Sequence, residues 1–295
     1  MTNTIKPSDQ TFHSCYRHTK LEFETSETAY DSFVDATYIL AMKNSKRKEQ
    51  YMKQISTYPL THVVYIQEND GFRNCKKRVC DSKKEKCEHV ETPPHDIVHA
   101  YYNAFRHALE HNYKNIIILE DDVIFSPDVM KPQVVRDIKE FVEKYHQPIC
   151  LGVFPMVSYK YTSTVRKGLL CSGTHAVVYP LSLMRKRFLT SVHHIKDVDV
   201  WMSRTTFKNY YQRPLAYQVF EETENQGFWG NHNPFLSIGS YFIIWYVKLF
   251  NLHKTYEPGT SRAYYYNRIA FDFVVPAFLL FALFFIVWYV NKERV

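Results

Sequence analysis

Apolar residues fall in short, dense runs along this chain, and the charged stretches between them carry a helical rhythm. DATYILAM (35–42) has the β-branched and aromatic content of a buried strand, and KNSKRKEQYMKQI (43–55) reads as a charged helix behind it. THVVYIQE (61–68) is a second strand, closed by an Asn-Asp-Gly turn at 69–71. TPPHDIVHAYYNAFRHALEHN (92–112) opens on Thr and two prolines, a helix-start signal. Ile97, Ala100, Tyr101, Ala104, Phe105 and Ala108 then make one apolar stripe at helical period. The stripe leads to NIIILEDDVIF (115–125), an aliphatic run that ends in Glu120, Asp121 and Asp122. A helix over PDVMKPQVVRDIKEFVEKYH (127–146) and a strand over PICLGVF (148–154) continue the alternation.

Strands alternating with helices predict an α/β fold, here one Rossmann-like domain with a mainly parallel sheet. Residues 1–32 show no periodicity and read as a loose lead-in to a domain over 33–232. From 233 to 268 the chain turns aromatic, and FLSIGSYFIIWYVKLF (235–250) is too short and interrupted to span a bilayer. It reads as an amphipathic helix on a membrane or on the domain.

Residues 269–290, IAFDFVVPAFLLFALFFIVWYV, carry one charge, Asp272, and none from Phe273 to Val290. At helical rise that length covers a bilayer core of about 30 Å. Pro276 lies in the first turns, and Trp288 and Tyr289 suit the interface at the far end. A single-pass anchor is therefore expected, followed by a tail at 291–295. Arg262 and Arg268 precede it and Lys292 and Arg294 follow, so flanking charge gives no orientation. The first residues lack an apolar signal-like run, so the expectation is a cytosolic domain, with the lumenal side left open.

The net charge of +7 is concentrated in RNCKKRVCDSKKEK (73–86), which reads as a solvated insertion. No RNA-motif, zinc-finger or basic-helix pattern accompanies it, so no nucleic-acid partner is expected. Of six cysteines, Cys150 and Cys171 sit in apolar surroundings as ordinary buried thiols. Cys75, Cys80 and Cys87, followed by His89, leave a zinc site, a disulfide and plain free thiols all open; free thiols are the first expectation.

In a parallel sheet, ligands bind where the strands end, and the acidic triplet stands at such an end. Side chains alternate along a strand, so Glu120 and Asp122 share one direction and Asp121 takes the other. Two oxygen ligands suit a hard divalent ion that keeps positions open for phosphate. The competing reading is a surface turn that caps a helix with Ser126-Pro127-Asp128, and spacing alone does not separate the two.

IIILEDDVIF resembles the acidic metal motif of glycosyltransferases with the A-type (GT-A) fold. Its surroundings resemble glycosyltransferase family 25, which includes lipopolysaccharide-building and collagen galactosyltransferases. TYILAMKNSKRKEQYMKQI is similar to that family's opening strand, with Arg47 at its characteristic arginine. CSGTHAVVYPLSLMRKRFL is similar to its Gly-Thr-His/Ala-Tyr block through Gly173, Thr174, His175 and Ala176. KDVDVWM and LAYQVFEETENQ are similar to its later Asp- and Gln-containing blocks. The likeness spans roughly residues 33–230 and leaves out the basic Cys-rich loop, the aromatic tail and the apolar C-terminal helix.

The resemblance implies transfer of a hexose, galactose or glucose, from a UDP-sugar to a glycan or protein hydroxyl, with inversion. It implies Mn²⁺ or Mg²⁺ held by Asp122 with Glu120 or Asp121, to neutralise the departing diphosphate. Arg47, Gly173, Thr174, His175 and Gln218 are then donor-site candidates, with Glu222 and Asn225 as further sugar contacts. Inversion needs a base for the acceptor hydroxyl, and Asp199 or Asp197 is the candidate. Either aspartate reads equally as a helix cap, and His175 equally as a core histidine. The alternative function is an inactive relative that binds a nucleotide or glycan, or scaffolds a membrane complex.

Overall fold

The computed structural model describes residues 15–23, 28–81, 86–205, 208–218, 245–251 and 256–292. The chain runs β1 (Tyr16–Glu22), β2 (Ala36–Met42), α1 (Lys48–Thr57), β3 (Val63–Asn69), β4 (Arg78–Asp81), β5 (Lys86–His89), α2 (Pro93–Glu110), β6 (Asn115–Glu120) and β7 (Val123–Phe125). After a 3₁₀ turn at Pro127–Met130 come α3 (Pro132–Tyr145), β8 (Ile149–Cys150), β9 (Phe154–Lys160), β10 (Val165–Ser172), β11 (Ala176–Pro180) and α4 (Leu181–Arg187). α5 (Val198–Thr205), β12 (Lys208–Tyr211), β13 (Ala216–Gln218), α6 (Tyr256–Ile269) and α7 (Val275–Lys292) complete it.

Nine strands form one sheet in the order β1-β3-β2-β6-β11-β8-β12-β10-β9. β3, β2 and β6 are parallel, because α1 and α2 carry the chain back between them. Elsewhere the sheet departs from the expected parallel arrangement. β11 runs antiparallel to β6 and β8, β10 to β12 and β9, and β1 to β3, while β12 stays parallel to β8. The architecture is therefore α/β with a mixed sheet. The physical reason is that short links, such as the turn between β9 and β10, replace helical crossovers in the second half.

Alternation along β6 divides the core. Ile117 and Leu119 pack with Tyr51 and Ile55 of α1 and with Ile138 and Phe141 of α3. Ile116 and Ile118 pack with Tyr101 and Phe105 of α2 and with Met202 of α5. Each face of the central strand is fully covered, which is why its sequence reads as an unbroken aliphatic run.

Residues 16–22 are not a loose lead-in but an edge strand paired with β3 over its whole length. Only one face of β1 touches the domain, so its sequence YRHTKLE lacks the apolar run that marks the inner strands. The cysteine question resolves into two disulfides, Cys15–Cys75 and Cys80–Cys87. The second clips the β4–β5 hairpin, and free Cys150 and Cys171 are buried.

At the C-terminal end, α6, a π-helical turn at Ala270–Val274 and α7 run without interruption. Within this run, Gly259–Val287 is long and apolar enough to cross a membrane, and its most apolar stretch is not buried in the domain. α6 lies along β9: Tyr264 OH accepts from Val153 N at 3.0 Å, and Asn267 Nδ2 donates to the carbonyls of Pro155 and Met156. Of the expected amphipathic segment, residues 245–249 are described and helical. Tyr246 packs there on Phe154 and Ala263, while Trp245 and Leu249 stay exposed.

Candidate active site

β6 ends at Glu120, and the same alternation that divides the core aims its acids apart. Glu120 turns to the α2 side, where its Oε1 accepts from Tyr101 OH at 3.2 Å and Thr174 Oγ1 at 3.0 Å. Asp121 turns to the start of α1, accepting from Ser45 Oγ at 2.5 Å and pairing with Arg47 at 3.1 Å. Asp122, one step past the strand, is buried. Gln218 Nε2 donates to its Oδ2 at 2.9 Å, which the register of β13 against β7 (Gln218 opposite Val123) makes possible. The buried Oδ1 of Asp122 has no hydrogen-bond partner among the described residues.

These carboxyls feel one another. Burial, then the charges of Asp122 and Asp199, push Glu120 up to about 8. Burial also pushes Asp122 up to about 6, against the lowering effect of the Gln218 hydrogen bond. Both groups resist ionising in the protein alone and would ionise readily beside a cation.

Gly173 takes φ +97°, a left-handed conformation that suits glycine, and turns the chain from β10 into β11. Thr174 thereby reaches Glu120, and its carbonyl accepts from Tyr101 OH at 2.9 Å. His175 goes inward: it is 1% exposed, and its Nε2 lies 3.5 Å from the Ala216 carbonyl. Its ring packs so closely on Gly152 that a Cβ there would stand 2.6 Å from Nε2. Burial lowers its pKa to about 4, so it is a neutral core histidine behind the site.

The two aspartates expected as bases have different partners. Asp197 Oδ1 accepts from Val200 N at 3.0 Å, capping α5 where it begins at Val198. Burial and Asp199 hold its carboxyl above the usual range. Asp199 Oδ2 accepts from Gly173 N at 3.1 Å and Ser172 Oγ at 3.3 Å, while Oδ1 is ion-paired with Lys208. Burial alone would raise Asp199; the Lys208 ammonium, with the Gly173 N–H, outweighs it and holds the carboxyl low.

The fold thus gathers Glu120, Asp122, Thr174, Asp199 and Gln218 around one strand end, with Arg47 and Asp121 on the α1 side. Glu222 and Asn225 lie outside the described residues. Sequence reasoning missed Lys208 and the hydroxyls of Tyr101 and Ser172. A lysine inside the aromatic stretch TFKNYY was the available signal for Lys208, since a lone charge in such a run needs a buried partner. Tyr101 was legible only as a member of an apolar stripe.

No protein-family model matches this chain, and no curated protein matches it either. Among the described residues, no group of three or more His, Cys, Asp or Glu side chains is arranged to hold a metal unaided. The unpartnered Asp122 oxygen and the raised pKa of Glu120 nevertheless fit a divalent cation that completes its shell with ligand oxygens.

Proposed function

We propose that the protein is a membrane-anchored glycosyltransferase of GT-A type that moves galactose or glucose from a UDP-sugar to a glycan or protein hydroxyl, with inversion. The observation that carries this reading is the buried Oδ1 of Asp122, unpartnered among the described residues, beside Glu120 at the end of the central strand. Such an oxygen costs stability unless a further donor or a cation satisfies it. The motif likeness to family 25 supplies the reaction class.

Asp122 and Glu120 would hold Mn²⁺ or Mg²⁺ together with the donor diphosphate. Once bound, the ion neutralises charge on the departing UDP. Gln218 fixes the Asp122 rotamer, and the Asp121 carboxylate keeps Arg47 beside the strand end for the nucleotide. Asp199 holds the Gly173 turn. Asp199 or Asp197 would accept the proton of the incoming hydroxyl; Asp199 stands at the strand end with Glu120, and Asp197 caps α5 beside it.

The two disulfides favour an oxidising setting, which supports the lumenal alternative over the cytosolic one as this reading's choice of membrane side. The test is UDP release by the full chain in nanodiscs, from UDP-galactose and UDP-glucose, with and without Mn²⁺. Mn²⁺-dependent release that Asp122→Asn abolishes supports the reading; absence of donor binding, or turnover indifferent to that substitution, sinks it. A second reading, a donor-binding protein without transfer, is favoured by the Lys208 clasp on Asp199, and predicts UDP binding without release of sugar.

A further inference from the structure

The apolar helix does not hang from the domain on a linker. It is the direct continuation of α6, and a charged contact joins it to the domain: Arg166, 3% exposed, makes a bidentate pair with Asp272 at 2.7 and 2.8 Å. Asp272 is the last charge before the uncharged run Phe273–Val290. That run is about 27 Å long at helical rise, close to the apolar thickness of a bilayer. The hydrocarbon boundary therefore falls at the ion pair. An ionised carboxylate there is costly unless paired, and the guanidinium fork pairs it.

The same elements set the height of the site. In β10, Arg166 lies opposite Lys160 and Ser172 lies opposite Phe154. The Arg166 guanidinium reaches back to Ser158, opposite Gly168, so the strand runs from the ion pair to the residue that hydrogen-bonds Asp199 over four residues, about 13 Å. α6 follows the same path: Tyr264 bonds Val153 near the site end, and Asp272 is eight residues on, about 12 Å along the helix. The headgroup layer occupies only about 5–8 Å of this interval. Around the lower end, Lys160 is exposed and Lys167 lies 4.8 Å over the Tyr161 ring, a basic and aromatic set suited to headgroups.

We propose that the Arg166–Asp272 pair locks the domain upright on the bilayer, with the β9–β10 turn against the headgroups. The Gly173–Asp199 end of the site then stands clear of them, so the acceptor is a hydroxyl carried out into water and not one within a lipid headgroup. Naming an acceptor rests on the transferase reading; the geometry does not.

The test places one fluorescent amino acid in the full chain, at Ser163 in the β9–β10 turn or at Val200 beside Asp199, both exposed. Each variant goes into nanodiscs whose lipids carry headgroup nitroxides, which quench at short range. Quenching several-fold stronger at Ser163 than at Val200 is expected. Asp272→Ala should shrink that contrast and Asp272→Glu should restore it, with helix content unchanged by circular dichroism. Equal quenching, stronger quenching at Val200, a contrast unmoved by Asp272→Ala, or failure to enter nanodiscs overturns the proposal. A sound quenching gradient without UDP release sinks the transferase reading alone; UDP release with a reversed gradient sinks this one alone.

Discussion

Lys208, fully buried, sets its ammonium on the Asp199 carboxylate and donates to the Gly173 carbonyl at 3.2 Å. Asp199 in turn accepts from Gly173 N, so the pair holds the backbone on both sides of Gly173, where the chain turns toward Thr174. Burial works against each charge, and their attraction outweighs it, raising Lys208 and lowering Asp199. Lys208→Met leaves the partly exposed Asp199 carboxylate without its cation, with an expected loss of about 1–3 kcal/mol in denaturant unfolding. The double change Lys208→Met with Asp199→Asn should recover much of it. A single variant as stable as the parent protein would show that the pair does not hold this turn.

The acids at the strand end predict an unusual pH dependence. Glu120 is raised to about 8 and Asp122 to about 6, so folding favours their protonated forms. Their contribution to stability is complete below the ordinary carboxylate range and is lost as pH rises toward 8. Without divalent ions, the thermal midpoint should fall by roughly several degrees between pH 5 and pH 8.5. Glu120→Gln should flatten that decline. A midpoint that rises over the same interval contradicts the assigned environment.

Cys15 and Cys75 are separated by 60 residues, so their bond closes a long loop and ties β1 to the basic segment. Loop-closure entropy predicts a loss of about 4 kcal/mol on Cys15→Ser. Cys80–Cys87 spans 7 residues and matters less to the unfolded chain. Differential scanning calorimetry of the two Cys→Ser variants checks the order; a larger effect at Cys80 would reverse it.

Gly173→Ala meets two obstacles, the positive φ and a Cβ 3.1 Å from His175 Nδ1. A left-handed alanine costs roughly 1–2 kcal/mol. Because the turn delivers Thr174 to Glu120, donor turnover should drop more steeply than stability. Equal activity in the variant, measured as UDP release, would separate this turn from the chemistry.

Much of the first half of the fold was legible because β2, β3 and β6 are covered on both faces and therefore spell continuous apolar runs. β1 was not, since an edge strand keeps a polar face and its bond to Cys75 is a long-range pairing that spacing does not reveal. The antiparallel course of β11 was hidden as well: AVVYP carries no mark of strand direction, and β11 keeps the direction of β10 across the short Gly173 link, with β8 and β12 between them in the sheet. At the site, the acidic triplet and the Gly-Thr-His block were visible as a pattern. Their division of labour was not, because it depends on which side of β6 each side chain leaves. The inward turn of His175 and the Lys208 clasp arise only from packing, where Gly152 leaves room for the imidazole and β12 lays the lysine beneath Asp199.

Calorimetric titration of UDP into the full chain, with and without Mn²⁺, tests the central claim most directly, with Asp122→Asn as the comparison. The account predicts Mn²⁺-dependent UDP binding that the substitution weakens at least about tenfold, or roughly 1.4 kcal/mol. Binding that is independent of Mn²⁺ and equal in both proteins would contradict it, as would no binding in either.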